Sequence, residues 1–430
     1  MQEEKPKHLK INKRYLIAGF CGNVLEWYDF TVYGFFASII GTLFFPNENK
    51  TVQLISVFGI FAAGYVMRPL GGAILGHIGD RHGRAKALFF SILLMAVPTT
   101  LIGVLPTYKQ IGWTAALFLI ILRLLQGISV GGEFTGSISF LVEKAPDNKR
   151  GFWGSFTTFG AFGGMLLGSS VSSLFSSLLT TAELHDYGWR IPFLLGSILG
   201  VAGLWLRKDM GDKNNSLSKT PYTAQEEKMP LAEFLKDHKL AAFKVFLLTW
   251  AFTVQVYTFF IFLPSYLHTF LKIPLDQALS SHTIAITILM IMIPPLGILA
   301  DKWGRKPLLL IALFGVAIFS YPLFLLLGTK TSLNILIAML IFSFFNAIVQ
   351  GVMPALMTES FPKKIRYTGL SVSYNIALAL FGGTTPLVAT WLIKISDGNI
   401  LMPSFYLIFT SLVAIIVAIR LPETYKKPLE

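Results

Sequence analysis

Charge is scarce in this 430-residue chain: Asp, Glu, Lys and Arg together make up 14% of it, where ordinary soluble domains carry ~25%. Hydrophobic residues stand at 53%, and the mean hydropathy is +0.63. That balance excludes a soluble globular protein and implies an integral membrane protein. Cysteine is all but missing, and the single Cys21 rules out an intrachain disulfide. No His or Cys residues fall at metal-ligand spacing, there is no nucleophile elbow, and no Gly-rich stretch has the P-loop spacing G-x-x-x-x-G-K-[ST]. An enzyme, a bound metal, a cofactor and ATP-driven work are therefore not expected. Acids are the scarcer sign, 23 against 36 basic residues, for a net charge of +13. The basic residues sit in loops between apolar runs, so they report membrane topology, and nucleic-acid binding is not expected.

What the chain does have is a repeat. Gly76, Asp80, Arg81, Gly83 and Arg84 return about half a chain later as Gly297, Asp301, Lys302, Gly304 and Arg305. Downstream, Glu143, Pro146 and Arg150 in the first half match Glu359, Pro362 and Arg366 in the second. Many transporter folds are built from such repeats embedded in hydrophobic sequence.

Apolar runs bounded by charge, Pro or Gly predict twelve spans, at 15–45, 52–75, 87–105, 112–142, 152–179, 191–206, 243–271, 278–296, 308–328, 335–361, 367–395 and 404–421. The expected organisation is an N-terminal six-helix bundle over 1–206, a linker over 207–242 and a C-terminal six-helix bundle over 243–430. The first run is too long for a signal-peptide core and contains Glu26 and Asp29, so it is expected to be retained as a span. Within the linker, residues 231–240 have the pattern of a short amphipathic helix on the membrane surface, a plain tether being the alternative. Of the Lys and Arg residues, 28 fall on the side of the two tails, the linker and both repeat loops, and only 6 on the other. This split predicts cytoplasmic termini, with anionic lipid contributing to the basic bias.

The loop residues have natural partners of opposite sign. Asp80, Arg84, Glu143 and Arg150 are expected to form a charge cluster, mirrored by Asp301, Arg305, Glu359 and Arg366, that latches one conformation. The plainer reading is that these charges flank spans and set topology. Gly83 permits a tight turn, and Gly76 permits close helix approach.

These motifs resemble the loop signature of the major facilitator superfamily, and Arg123, Gln126 and Gly127 in span four are similar to its second signature, associated with proton coupling. Glu26-Trp27-Tyr28-Asp29-Phe30, Met67-Arg68-Pro69-Leu70-Gly71-Gly72, Gly131-Gly132-Glu133 and Gly188-Trp189-Arg190-Ile191-Pro192-Phe193 resemble the metabolite:proton symporter family. The resemblance covers nearly the whole chain. It implies an all-α membrane protein with twelve transmembrane helices in two pseudo-symmetric six-helix bundles, the major facilitator fold, around a central cavity with alternating access driven by protons. Span five has Gly160, Gly163, Gly164 and Gly168 without the Gly-Pro motif of antiporters, which favours symport.

Independently of family, charges inside the hydrocarbon mark function, because each costs about 2.5–3.5 kcal/mol at a helix centre on insertion scales. Five are present: Glu26, Asp29, Arg68, Arg123 and Glu133. Glu26 and Asp29 share a helix face with Asn23 and Tyr33. Glu26, Asp29, Glu133 and Arg123 are the expected coupling residues; Arg123 is expected to grip a substrate carboxylate, since planar bidentate donors suit that group, with Arg68, Asn23, Trp27, Tyr33 and Gln126 as further expected substrate contacts. The second half offers only neutral polar groups, Gln255, Tyr257, His282, Asn346, Gln350, Tyr374 and Asn375, as substrate contacts or as interhelical hydrogen bonds. His282 is expected near a membrane interface. Trp27, Phe30 and Tyr33 on span one and Trp250, Tyr257 and Phe260 on span seven could face one another and hold a quaternary ammonium by cation–π contact, ordinary packing being the alternative.

The expected protein is therefore a monomeric, proton-coupled importer of a small hydrophilic metabolite in a bacterial inner membrane. With all five charges ionised, three acids against two arginines leave one net negative charge, which favours a zwitterion over a dicarboxylate. Leu263-Pro264-Ser265-Tyr266-Leu267, Met402-Pro403-Ser404-Phe405-Tyr406-Leu407 and Glu423-Thr424 are similar to the proline/betaine branch. Uptake of an organic acid such as α-ketoglutarate, citrate or shikimate is the alternative. Gating by a long C-terminal coiled coil is not expected, because the chain stops about ten residues after its last span.

Overall fold

The computed structural model describes residues 13–82, 84–129, 133–213, 238–363 and 365–429. The amphipathic stretch expected at 231–240 lies almost wholly outside them, as do Gly83, Gly131, Gly132 and the side chains of Asp80, Arg84 and Glu133. The described residues form twelve long helical elements. They are α1 (Lys13–Phe35, continued by Ala37–Phe44), α2 (Lys50–Val66, then Arg68–His82), α3 (Arg84–Val104), α4 (Thr114–Ser129 and Glu133–Lys144), α5 (Arg150–Leu178), α6 (Arg190–Lys213), α7 (Lys239–Thr269), α8 (Leu275–Trp303), α9 (Arg305–Gly328), α10 (Ser332–Glu359), α11 (Arg366–Ile395) and α12 (Met402–Ile419).

Helices are the expected outcome where no water can satisfy backbone groups, because only a helix pairs every N–H and C=O within one segment. Among the described residues, nine of the elements are long and apolar enough to cross a membrane, and α3 and α6 add shorter apolar stretches at Phe89–Val104 and Arg190–Ala202. Polar residues set the ends. The Asn49 side chain accepts from the Thr51 amide at 2.9 Å and so starts α2. In the second loop motif Gly304 has φ of +104°, a conformation L side chains rarely adopt, and it turns α8 into α9.

Helices α1–α6 pack as one bundle and α7–α12 as the other. They meet along a seam where α5 crosses α8, α2 lies against α11, and α1 touches a π-helical turn of α7 at Thr258–Phe262. A second π turn, Leu378–Gly382, interrupts α11. The α5–α8 crossing is tight: a Cβ on Gly151 would sit 2.5 Å from the Gly297 carbonyl oxygen, and one on Gly297 would sit 2.7 Å from that of Gly151. Glycine there lets the halves meet backbone to backbone. The α5 glycines also serve packing, since a Cβ on Gly164 would lie 2.3 Å from the Val24 carbonyl oxygen on α1.

Candidate functional site

Midway along the seam lies a narrow cavity with room for little more than one water molecule. Six aromatic rings wall it: Trp27 from α1, Phe134 from α4, Phe162 from α5, Phe252 and Tyr257 from α7, and Tyr374 from α11. Thr158 and Gln350 add polarity, and no charged side chain among the described residues lines it. Both bundles contribute, so the cavity exists only where the halves meet. Trp27 packs edge-on to Phe134 with centroids 6.3 Å apart, and Phe134 stacks on Tyr374 at 5.2 Å. Any ligand larger than water must spread these walls.

Behind the α1 wall sit two buried ion pairs. Asp29, 1% exposed, takes Arg123 Nη1 at 3.1 Å on Oδ2, and its Oδ1 lies 2.9 Å from Gln126 Nε2 and 2.7 Å from the Thr99 hydroxyl. Arg123 also donates to Gln126 Oε1 at 2.8 Å. Its guanidinium lies 4.0 Å from the Tyr33 ring centroid, 5.3 Å from that of Phe30 and 5.5 Å from that of Phe61. The second pair joins Arg68 Nη2 to Glu26 Oε1 at 3.3 Å, with the guanidinium 4.1 Å from the Tyr65 ring and 5.0 Å from Phe30. Tyr65 in turn accepts from the Tyr257 hydroxyl at 2.7 Å, which connects the Arg68 pair to the cavity wall.

At the end of the bundles that carries the loop motifs, charges close the seam. Asp301 of α8 accepts from the amides of Gly151 and Phe152, both at 2.8 Å, in the first turn of α5, where free N–H groups and the helix dipole favour an anion. Arg305 donates to Asp301 at 2.8 Å and grips Glu359 with two bonds of 3.2 and 2.9 Å. Arg150 of α5 reaches Glu359 of α10 at 3.7 Å and pairs with Asp147, while Arg366 of α11 donates to Glu143 of α4 at 3.2 Å. The C-terminal tail straps this cluster: Glu423 accepts from the amides of Arg305 and Lys306 at 3.0 and 2.9 Å, Thr424 donates to Glu359 at 2.6 Å, and the Lys427 carbonyl accepts from Arg150 at 2.7 Å. Neutral groups close the opposite end. Ser169 of α5 bonds Thr283 of α8 at 2.7 Å, Ser173 bonds Ser280 at 3.0 Å, and Ser265 of α7 donates to the Gly34 carbonyl of α1 at 3.1 Å.

Several expectations change on this geometry. The two charge clusters are not separate mirror images: Arg150 and Arg366 each cross to the other half's acid, because the pseudo-symmetric motifs face each other over the seam. Arg123 does not line the cavity; Asp29 and Gln126 hold it on the far side of α1's polar face. The aromatic face of α1 is divided, since Trp27 borders the cavity while Phe30 and Tyr33 lie against the arginines. On α7, Tyr257 borders the cavity, but Trp250 stacks on Phe381 at 4.8 Å, away from it, and Phe260 packs on Phe162. Gln255 reaches Ser411 of α12 at 3.4 Å, Asn346 caps back to the Phe342 carbonyl at 3.1 Å, and Asn375 bonds Ser371 at 3.1 Å, so these three serve helix contacts outside the cavity wall. Asn23 is buried on α1 and also stands outside that wall. His282 is no interfacial residue: it is 1% exposed, sits between Ser169 and the Phe259 carbonyl, and packs edge-on to Phe35 at 4.9 Å. Residues not anticipated include Thr99, Tyr65, Phe134, Phe162 and Phe252. A hydroxyl or phenyl ring inside an apolar run carries no pattern that separates it from ordinary packing.

Two helical bundles enclosing a small aromatic chamber, with buried ion pairs behind one wall and a closure at each end, define a membrane transport protein and not an enzyme. The chain belongs to the Major Facilitator Superfamily, whose sequence profile matches residues 19–386. It is similar to the proline/betaine transporter of Escherichia coli (strain K12), with 36% identity over 434 residues, covering 97% of this chain and 85% of that protein. It is also similar to the proline/betaine transporter of Salmonella typhimurium, at 35% identity over 437 residues and the same coverage. Among solved structures, the D-xylose-proton symporter has the same fold, with a TM-score of 0.74 over 97% of this chain and 99% of that one at 21% identity.

Proposed function

We propose that this protein is a proton-coupled symporter that imports a small zwitterion of the proline/betaine kind. The observation that carries the reading is the cavity itself: an aromatic box suits a quaternary or secondary ammonium by cation–π attraction, worth ~2 kcal/mol or more when desolvated. The similarity to proline/betaine transporters supports the same substrate class. A dicarboxylate would enter a chamber whose neighbouring arginines are already paired to acids, and separating a buried pair costs about 3–5 kcal/mol.

Asp29 is assigned the coupling proton. When it is neutralised, Arg123 keeps its Gln126 bond and three aromatic rings, so the guanidinium is not stranded. Among the described residues Arg68 has two such rings, which makes Glu26 the poorer carrier. The basic-residue split puts the motif-bearing end and both termini in the cytoplasm, and the organisation is taken as bundles over 1–206 and 243–430 joined by 207–242. Closing and opening the two ends in alternation then moves the substrate inward.

The test uses proteoliposomes with an imposed pH gradient and betaine or proline. Wild type is expected to accumulate substrate and to show inward positive current, because a proton travels with a neutral zwitterion. Asp29→Asn is expected to lose accumulation while keeping exchange of internal for external substrate. Accumulation by the variant equal to wild type would remove Asp29 from the mechanism, and uptake indifferent to the gradient in wild type would make the protein a uniporter.

A further inference from the structure

Three residues of the cavity lining each carry a polar atom without a hydrogen-bond partner among the described residues: Trp27 Nε1, Gln350 Nε2 and the Tyr374 hydroxyl. All three residues are buried, at 4%, 1% and 1% exposure. Indole N–H and the amide nitrogen of Gln are donors only, and a phenol donates readily. Buried donors without acceptors are costly, so three gathered on residues of one chamber call for an explanation. A ligand that brings oxygen acceptors supplies it.

We propose that these three neutral donors, and not an arginine, hold the carboxylate of the substrate. The assignment rests on the zwitterion reading and adds the groups that recognise one end of the molecule. Neutral donors avoid the conflict that an arginine would create, because Arg68 remains paired with Glu26, and Arg123 stays with Gln126 and its aromatic neighbours, while the substrate binds. The ammonium end then meets the faces of Tyr257, Phe162 and Phe252. Position matters as well: Trp27 belongs to α1 of the first bundle, and Gln350 and Tyr374 belong to α10 and α11 of the second. A carboxylate shared among them ties the halves together, so an analogue lacking it occupies the aromatic box without drawing the walls closed. The Gln350 segment is itself anchored across the seam, since Thr158 of α5 donates to its carbonyl at 3.0 Å.

The test is direct binding to purified wild type and to Trp27→Phe, Gln350→Glu and Tyr374→Phe, with glycine betaine, proline, α-ketoglutarate and choline, the last carrying a quaternary ammonium and no carboxylate. Each variant is expected to lose about tenfold in affinity for betaine and proline, the size of one unmade hydrogen bond in a buried site. Gln350→Glu is expected to lose more, since it sets an acid against the carboxylate. Choline is expected to bind wild type more weakly than betaine and to bind wild type, Trp27→Phe and Tyr374→Phe alike, and to bind Gln350→Glu at least as well as wild type because the new acid attracts its ammonium, which also certifies that the variants are folded. Equal losses for choline and betaine, or no loss for betaine in any variant, would overturn the assignment. If wild type binds only α-ketoglutarate, the zwitterion reading falls, and the donors are then judged on whether the same variants lose that ligand.

Discussion

The two ends of the seam are closed by different chemistry. At the motif-bearing end, Asp301, Arg305, Glu359, Arg150, Arg366 and Glu143 interlock, and the buried arginines among them are 1–2% exposed. At the opposite end the bonds across the seam join hydroxyls, a histidine and a backbone carbonyl. Charges accept only one register, because a shift brings like signs together. Hydroxyls can donate or accept and so tolerate sliding. The charged end is therefore suited to hold one closed state firmly, and the hydroxyl end to open and close at small cost. If the termini are cytoplasmic, as proposed above, an importer built this way would rest with its outer end the more easily opened.

The largest effect is expected from breaking the charged end at its centre. Asp301 joins the halves through two amides of α5, and hydrogen bonds to a charged group contribute about 1.5–3 kcal/mol. Asp301→Asn should raise the hydrogen-exchange rate of the Gly151 and Phe152 amides by roughly 10–100-fold and slow uptake, with substrate affinity within a few-fold of wild type. If those amides exchange at the wild-type rate, the latch lies elsewhere; if binding is lost, Asp301 belongs to the substrate site.

A smaller effect is expected from crowding the opposite end. A Cβ on Gly34 would meet Ile261 Cγ2 at 2.6 Å, beside the π turn of α7. Overpacking costs about 1–3 kcal/mol, so Gly34→Val should hold that end open and lower uptake about tenfold while substrate still binds. Uptake at the wild-type rate would mean that α1 and α7 do not have to meet during the cycle.

Much of this architecture was legible in the chain because lipid enforces it. An apolar run at 335–361 became Ser332–Glu359, and one at 152–179 became Arg150–Leu178. The helices outrun some expected spans where motif residues form their last turns, as at 278–296, which the structure extends to Leu275–Trp303. That earlier start, together with a seam partner in Ser169, buries His282. Partner choice was the illegible part. Periodicity placed Glu26 and Asp29 on one face but could not say that they pair with arginines 42 and 94 residues away. Nor could it say which aromatic residues of α1 look into the cavity and which lie under a guanidinium, because both faces repeat at the same interval.

The smallest effect should come from the hydroxyl seam, where the comparison is sharpest. Ser169 is the best connected member, bonded to Thr283 at 2.7 Å and to His282 Nδ1 at 3.3 Å. Both partners keep a second bond after its removal: Thr283 donates to the Leu279 carbonyl at 2.8 Å, and His282 Nε2 lies 3.2 Å from the Phe259 carbonyl. Ser169→Ala therefore strands little and should cost no more than one neutral hydrogen bond, about 0.5–1.5 kcal/mol. Spin labels near the end of α5 and the start of α8 should report a population open at this end that rises about threefold, against the roughly 10–100-fold expected at the charged end. A rise as large as that produced by Asp301→Asn would show the hydroxyl end to be an equal latch, and the asymmetry between the two ends would be lost.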